Sequence, residues 1–93
     1  MSRSRSFDAE KANLDEACRA LQWFTLARRG STRKSGLLAL ERVNAACERM
    51  KKLFAAGPHA LRLAAILNSV RGRILAAEAR LTVLARKLAD ESL

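Results

Sequence analysis

Aromatic and turn-forming residues are scarce in this 93-residue chain, which contains three Phe, one Trp, no Tyr, one Pro and four Gly. Aromatic and β-branched side chains are the ones that strands favour, so their scarcity argues against a β-sheet. Leu and Ala supply most of the apolar content, and both are strong helix formers. Because a chain of this length forms one domain at most, the composition predicts a small all-α protein.

Long apolar runs are lacking as well. No stretch of about 18 apolar residues is available to form a membrane-spanning helix. The opening sequence MSRSRSFDAE has no apolar run after its arginines, so it does not have the pattern of a secretory signal. The two cysteines do not make a disulfide framework. We therefore expect a cytoplasmic protein in a reducing compartment.

Acidic residues are outnumbered, with nine Asp and Glu against 18 Lys and Arg. Residues 1–26 are neutral, residues 27–55 contain eight cations and two anions, and residues 56–93 contain six cations and three anions. The excess begins at the segment RRGSTRKSG, residues 28–36, and continues along the sequence that follows it. A localised positive field of this kind attracts nucleic acid or an acidic protein surface.

Apolar residues recur at intervals of three and four along three segments, which is the period of a helix that buries one side. The pattern predicts helices over about residues 7–29, 36–56 and 58–90, after a disordered basic arm at residues 1–6. The expected buried positions are Leu14, Cys18, Leu21 and Phe24 or Thr25 in the first helix, Leu40, Val43, Cys47, Met50 and Phe54 in the second, and Leu63, Leu67, Val70, Ile74, Ala77, Leu81, Leu84 and Leu88 in the third. Short loops join antiparallel neighbours, so we predict an up-down-up three-helix bundle, an antiparallel helical hairpin plus a longer C-terminal helix.

The third predicted helix is longer than the other two. At 1.5 Å per residue it would reach roughly 48 Å, against roughly 33 Å for each partner. Its last turns would then project beyond the loop end of the hairpin, unless the helix bends near Gly72 or the loop folds over it. The side chains that would be exposed there, and that we predict as a protein interface, are Leu81, Val83, Leu84 and Leu88.

The candidate contacts to an anionic partner are cations of the loop, of the second helix and of one stripe along the third helix. They are Arg28, Arg29, Arg33, Lys34, Arg42, Arg49, Lys51, Lys52, Arg73, Arg80 and Lys87. Arginine suits phosphate and carboxylate recognition, because its planar fork can donate two parallel hydrogen bonds. The alternative interpretation is a solvated loop and two solvated helix faces.

Two aromatic residues adjoin the cationic loop, since Trp23 and Phe24 fall in the last turns of the first helix. Aromatics among basic residues can stack on unpaired bases. We favour the alternative in which both close the end of the core. Cys18 and Cys47 fall at the same level of the hairpin on its buried sides, so we expect neighbouring free thiols rather than a disulfide.

Catalytic and metal-binding patterns are not apparent. The segment GSTRKSG does not have the order or spacing of a phosphate-binding P-loop. Ser69 and Thr82 have no neighbouring base to activate them. His59, the single histidine, follows Pro58 at a helix start, where we expect it to be exposed and not to bind metal. We therefore expect no enzyme, cofactor, metal or small-molecule substrate.

Two functional hypotheses remain. The first is a basic helical protein that binds nucleic acid or a nucleoprotein complex, as expected of a phage or plasmid accessory protein that inhibits such a complex, for example an anti-CRISPR protein. The second is a protein–protein interaction or dimerisation module that uses the apolar C-terminal part of the third helix.

Overall fold

The computed structural model describes the backbone of residues 6–26 and 32–92, and the side chains of all of these except residues 88, 89, 91 and 92. It contains three helices, α1 (Phe7–Leu26), α2 (Arg33–Phe54) and α3 (Ala60–Ser92). Each helix packs against the other two. The predicted all-α three-helix bundle is therefore confirmed.

Local capping interactions set the starts of the first two helices. The hydroxyl of Ser6 accepts a hydrogen bond from the amide of Ala9 at 3.1 Å, so α1 begins where predicted. Helix α2 begins at Arg33, three residues before the predicted position 36. Thr32 Oγ1 accepts from the Ser35 amide at 3.0 Å, and Ser35 Oγ accepts from the Thr32 amide at 3.1 Å. This capping box uses Ser in place of the more usual Glu or Gln, which is why the sequence pattern did not reveal it.

The connection between α2 and α3 is longer than predicted. Helix α2 ends at Phe54 and α3 begins at Ala60, whereas the expected bounds were 56 and 58. Gly57, in this connection, adopts a φ of 122°, a conformation that favours glycine. The chain changes direction here and does not continue α2. The predicted extension of α1 to residue 29 lies outside the described residues.

The core contains the described residues of the predicted apolar seams, together with Phe7, Ala17, Ala39 and Ala46, which were not predicted. The fully buried side chains include Leu14, Leu21 and Phe24 of α1 together with Val43 and Met50 of α2. In α3 the inward positions 63, 70 and 77 are buried, and 67, 74, 81 and 84 pack partly against the core. The two cysteines are buried and free, as expected.

Gly36 of α2 lies against the ring of Phe24 of α1. A Cβ atom at position 36 would overlap that ring, so the close contact depends on the missing side chain. The phenyl ring consequently fills the space between the helices at the 27–31 end of the hairpin. This contact orients the last turns of α1, including Trp23, which precedes Phe24.

An aromatic cluster closes the opposite end of the bundle. The ring of His59 stacks on Phe7 with 4.6 Å between centroids and 17° between planes, and Phe54 meets both rings edge-on. The guanidinium of Arg62 lies 4.9 Å from the centroid of Phe7. His59 is half-buried, so the expectation that it is exposed was wrong, because its ring covers an aromatic side chain of α1.

Helix α3 has 33 residues and passes through Gly72 without interruption. At 1.5 Å per residue it is about 50 Å long, compared with about 30 Å for α1. Thr25 and Leu26, at the described end of α1, share a groove with Gly72 and Ala76 of α3. The part of α3 after position 77 therefore extends beyond the described end of α1, whereas the predicted projection beyond the loop concerns residues 27–31, which lie outside the described residues.

Candidate functional site

Ion pairs use several of the predicted binding cations. The strongest involves Arg49, whose Nε lies 2.9 Å from Oε1 of Glu10. The Glu10 side chain is only 1% exposed, and Arg49 is therefore the neutralising partner of a buried carboxylate. Glu10 is in the first turn of α1, and its spacing of four from Leu14 places it on the buried side of the helix.

The other ion pairs lie at the surface. Arg42 Nη2 is 3.9 Å from Glu16, and Lys51 Nζ is 3.0 Å from Glu48. Exposed pairs of this kind contribute little stability and leave the cation available to another anion. Two further surface pairs join Lys11 to Asp15 and Arg62 to Asp8.

A second group of predicted cations is exposed and has no ion pair with another described residue. It comprises Arg33, Lys34, Lys52, Arg73 and Lys87. Arg33 and Lys34 form the first turn of α2, so the expectation that they belong to the loop was wrong. They therefore stand at the positive end of the helix dipole, where an anion is favoured and a cation is not. Arg28 and Arg29 lie outside the described residues.

Trp23 and Phe24 point to opposite sides of α1. Phe24 is 2% exposed, whereas Trp23 is 64% exposed. Phe24 closes the core as predicted, but the same interpretation of Trp23 was wrong. The helical period could have shown this, because two residues after the buried Leu21 correspond to about 200° of rotation, which places Trp23 on the outer side.

Exposed apolar side chains and arginines adjoin Trp23 on both sides. Toward α2, Trp23 shares a groove with Leu38 and Arg42, and along α1 it shares a second hollow with Arg19 and Leu26. Leu26 and Leu38 are 70% and 58% exposed. We call these five residues, Arg19, Trp23, Leu26, Leu38 and Arg42, the Trp23 surface.

A groove between α1 and α3 adjoins the Trp23 surface at Leu26. It is lined by Gln22, Thr25, Leu26, Ser69, Gly72, Arg73 and Ala76. The structure thus places the predicted residues Arg42 and Arg73 on two sides of the same apolar surface. Arg19, which lies one helical turn before Trp23, was not predicted, and its i, i+4 spacing from Trp23 was the available signal.

The guanidinium of Arg73 also interacts with the thiol of Cys18. Burial raises the pKa of this thiol, while the nearby Arg73 charge acts in the opposite direction. Burial likewise raises the pKa of Cys47, and the neighbouring Cys18 adds to that effect. Both thiols are therefore protonated at neutral pH and poorly suited to act as nucleophiles.

The residues predicted as a protein interface do not share one exposed face. Leu81 and Leu84 are half-buried and pack toward the core, whereas Val83 is 53% exposed on the other side of α3. The side chain of Leu88 lies outside those that the structure describes. Among the predicted cations of this part of α3, Arg80 is half-buried and Lys87 is exposed.

Within residues 6–26 and 32–92, no three His, Cys, Asp or Glu side chains cluster as a metal site would require. None of the helices in this part of the chain combines the length and the hydropathy needed to cross a membrane. Comparison of the chain with known protein families, curated proteins and solved structures finds no match.

Proposed function

We propose that this protein is a non-enzymatic nucleic-acid-binding protein that binds single-stranded DNA or RNA, either alone or within a nucleoprotein complex. The contact comprises the Trp23 surface and the first turn of α2. The observation that carries the proposal is the exposure of Trp23 between Arg19 and Arg42.

An exposed Trp offers a flat apolar surface on which an unpaired base can stack. Such stacking contributes about 1–3 kcal/mol per base, and it tolerates any base because each has a π-face. In a duplex the bases are already stacked on one another, so a side chain on a convex helical surface reaches only a base that is not paired. We therefore favour a single strand over a duplex.

The cations around Trp23 suit the phosphates that would flank a stacked base. Arg19 and Arg42 border the indole, and Lys34 lies one helical turn before Leu38 on the exposed side of α2. The pairing of Arg42 with Glu16 at 3.9 Å is weak enough to be exchanged for a phosphate. Arg49 is not part of this proposed contact, because it pairs with the buried Glu10.

The intrinsic fluorescence of Trp23 gives a direct test, because the chain has one Trp and no Tyr. We expect a single-stranded oligonucleotide to quench this emission, with an affinity that falls steeply with salt. An abasic strand of the same length offers phosphates without a base to stack. Its affinity should therefore be lower by a factor of about ten or more, and it should not quench the emission. Quenching by both strands alike would contradict the stacking contact.

A pair of charge reversals on one helix supplies the control for the cations. Lys34 and Lys52 are 18 residues apart on α2, so five full turns place them on the same side at opposite ends. We expect Lys34→Glu to weaken oligonucleotide binding by about tenfold at low salt and to reduce the salt dependence. Lys52→Glu changes the net charge equally but should have a much smaller effect. Equal losses would indicate attraction by net charge alone.

The small size and positive charge of the chain also suit a phage or plasmid accessory protein that inhibits a nucleoprotein complex, such as an anti-CRISPR protein. This part of the proposal is an analogy between classes of protein and rests on no shared motif. It predicts that the purified protein inhibits a nucleic-acid-guided nuclease complex and that Lys34→Glu abolishes the inhibition.

A further inference from the structure

Between positions 61 and 83, the exposed charged residues of α3 lie along the two edges of its solvent-facing side, and they are Arg62, Arg71, Arg73 and Glu78. Ten exposed residues form this outer face of α3: Leu61, Ala65, Asn68, Ser69, Gly72, Leu75, Ala76, Ala79, Thr82 and Val83. The chain as a whole is 29% charged, and solvent-exposed helix faces normally hold most of the charge of a domain. The lack of charge along about six turns therefore distinguishes this face from the rest of the surface.

Three large aliphatic side chains project from the outer face of α3. Leu61 is 89% exposed, Leu75 is 57% exposed and Val83 is 53% exposed. Leu61 and Leu75 are two heptads apart, and all three lie on the side opposite the buried Val70 and Ala77. Helix α3 thus has an apolar side toward the core and a second apolar side toward solvent.

The remaining positions of this face are mostly small. Ala65, Ser69, Gly72 and Ala76 leave the backbone of α3 accessible, and no heavy atom lies within 4 Å of the position that a Cβ of Gly72 would occupy. Small residues allow a second helix to approach closely, with the large aliphatics packing on either side. The face from Leu61 to Val83 is about 33 Å long, which matches a helix of about 22 residues.

The two edges of the outer face differ in charge. The edge toward α1 carries Arg62, Arg73, Arg80 and Lys87, because Arg62 lies 3.7 Å from Asp8 and Arg73 interacts with Cys18, both on α1. The edge toward α2 carries Arg71, which lines a groove with residues of α2, and Glu78 seven residues later, so its charges cancel. A helix lying on this face would meet this row of cations along one side only, and within the row Arg62 is paired with Asp8 and Arg80 is half-buried.

A second copy of the chain would not complement that row. In an antiparallel pairing of two α3 helices the cationic edges would face one another, and in a parallel pairing they would face the edge toward α2, where Arg71 offsets Glu78. The carboxylates of Asp8, Glu10, Asp15, Glu16 and Glu48 already form ion pairs within the chain. Self-association would therefore place repelling or unmatched charges at the interface.

From these observations we infer that the outer face of α3 is a docking surface for an amphipathic helix of another protein, with an apolar seam and acidic residues along one flank. Ser69, Gly72 and Ala76 of this face share a groove with Leu26 of the Trp23 surface, so the two surfaces adjoin there. The inference stands on different residues from the proposed function, and either can fail alone.

Two designed helical peptides of about 28 residues, or roughly 42 Å, test the inference with the purified full chain. Both have the same seam of Ala and Leu, and one carries Glu along a single flank where the other carries Lys. We expect the chain to bind the labelled Glu peptide at least about tenfold more tightly than the Lys peptide, as measured by fluorescence anisotropy. Equal affinity for the two peptides, or no binding of the Glu peptide, would overturn the inference.

Two leucine substitutions locate the binding. Leu75→Glu places a charge in the outer face, and Leu53→Glu makes the same change at a leucine of α2 that is 44% exposed. Only Leu75→Glu should weaken binding of the Glu peptide, by about tenfold or more. Both variants should retain the helical circular dichroism of the parent and the quenching of Trp23 by an oligonucleotide. A concentration-dependent dimer that Leu75→Glu abolishes would instead assign the face to a second copy.

Discussion

Arg49 of α2 neutralises the carboxylate of Glu10 in the first turns of α1, with 2.9 Å between Nε and Oε1. The two residues are 39 positions apart in sequence, so the contact fixes the register of the two antiparallel helices. Glu10 is 1% exposed, whereas the Arg49 side chain is 48% exposed. The pair therefore lies at the margin of the core, with the acid inside and the base covering it.

Removing the arginine should cost more stability than removing any surface cation. Arg49→Ala leaves the Glu10 carboxylate buried without this partner, and we expect the free energy of unfolding to fall by about 1–3 kcal/mol. The loss is smaller than for a fully buried pair because water reaches Arg49. Urea unfolding followed by circular dichroism measures the change.

Arg42→Ala is the matched control for this substitution. Arg42 is one heptad before Arg49 on α2, but its partner Glu16 is exposed and 3.9 Å away. We expect a change below about 1 kcal/mol. Similar losses for the two variants would mean that the Glu10 contact is no stronger than a surface pair.

Two identical substitutions in different helices should have opposite effects on stability. Gly36→Ala introduces a Cβ that overlaps the ring of Phe24, and we expect a loss of about 1–3 kcal/mol from overpacking, even though Ala is the better helix former. Gly72→Ala meets no neighbouring atom within 4 Å and should stabilise α3 by about 0.5–1 kcal/mol. Thermal unfolding of the two variants checks both signs. A destabilised Gly72→Ala variant would show that α3 needs its glycine.

The bundle could be predicted from the sequence because apolar periodicity alone determines which side of each helix is buried. Leu14, Leu21, Val43 and Val70 need no knowledge of their partners to be assigned to the core. The boundaries were less accurate where capping decides them. The hydrogen bonds between Thr32 and Ser35 extend α2 by a turn that the apolar pattern does not mark.

The candidate site was harder to predict, because it depends on which residues of different helices meet. The contact of Arg49 with Glu10 could not be deduced from either helix alone, since it requires the register between them. The grouping of Trp23 with Leu38 and Arg42 has the same origin. The exposure of Trp23 was different, since the period of α1 was sufficient to predict it.

The buried thiols should make stability depend on pH above neutrality. Burial raises the pKa of Cys18 and Cys47 in the folded state, so the unfolded chain loses these protons first as the pH rises. Their contribution is fully present below the ordinary thiol pKa of about 8.5 and is lost as the pH rises through the raised values. We expect the free energy of unfolding to fall as the pH rises above about 8.

A double substitution separates this effect from other groups that titrate in the same range. With Cys18→Ala and Cys47→Ala together, the curve of unfolding free energy against pH should be shallower than that of the parent, whatever its absolute level. Parallel curves for the two proteins would mean that the thiols contribute nothing to the pH dependence.

The positive field around Trp23 should appear in the quenching of its fluorescence by small ions. Arg19 and Arg42 border the exposed indole, so anions concentrate near it and cations are repelled. We expect iodide to quench the emission more efficiently than caesium at low ionic strength. The difference should shrink as sodium chloride is added, because the Debye length falls from about 10 Å at 0.1 M to about 3 Å at 1 M.

Charge reversals then show which cations produce the field. Arg19→Glu and Arg42→Glu should each lower the iodide quenching and raise the caesium quenching. Lys52→Glu, at the far end of α2, should leave both nearly unchanged at 0.1 M ionic strength, where it lies more than the Debye length of about 10 Å from the indole. Equal quenching by the two ions in the parent protein would show that the indole lies in no local excess of positive charge. The phosphate contacts assigned to its arginines would then have no electrostatic basis.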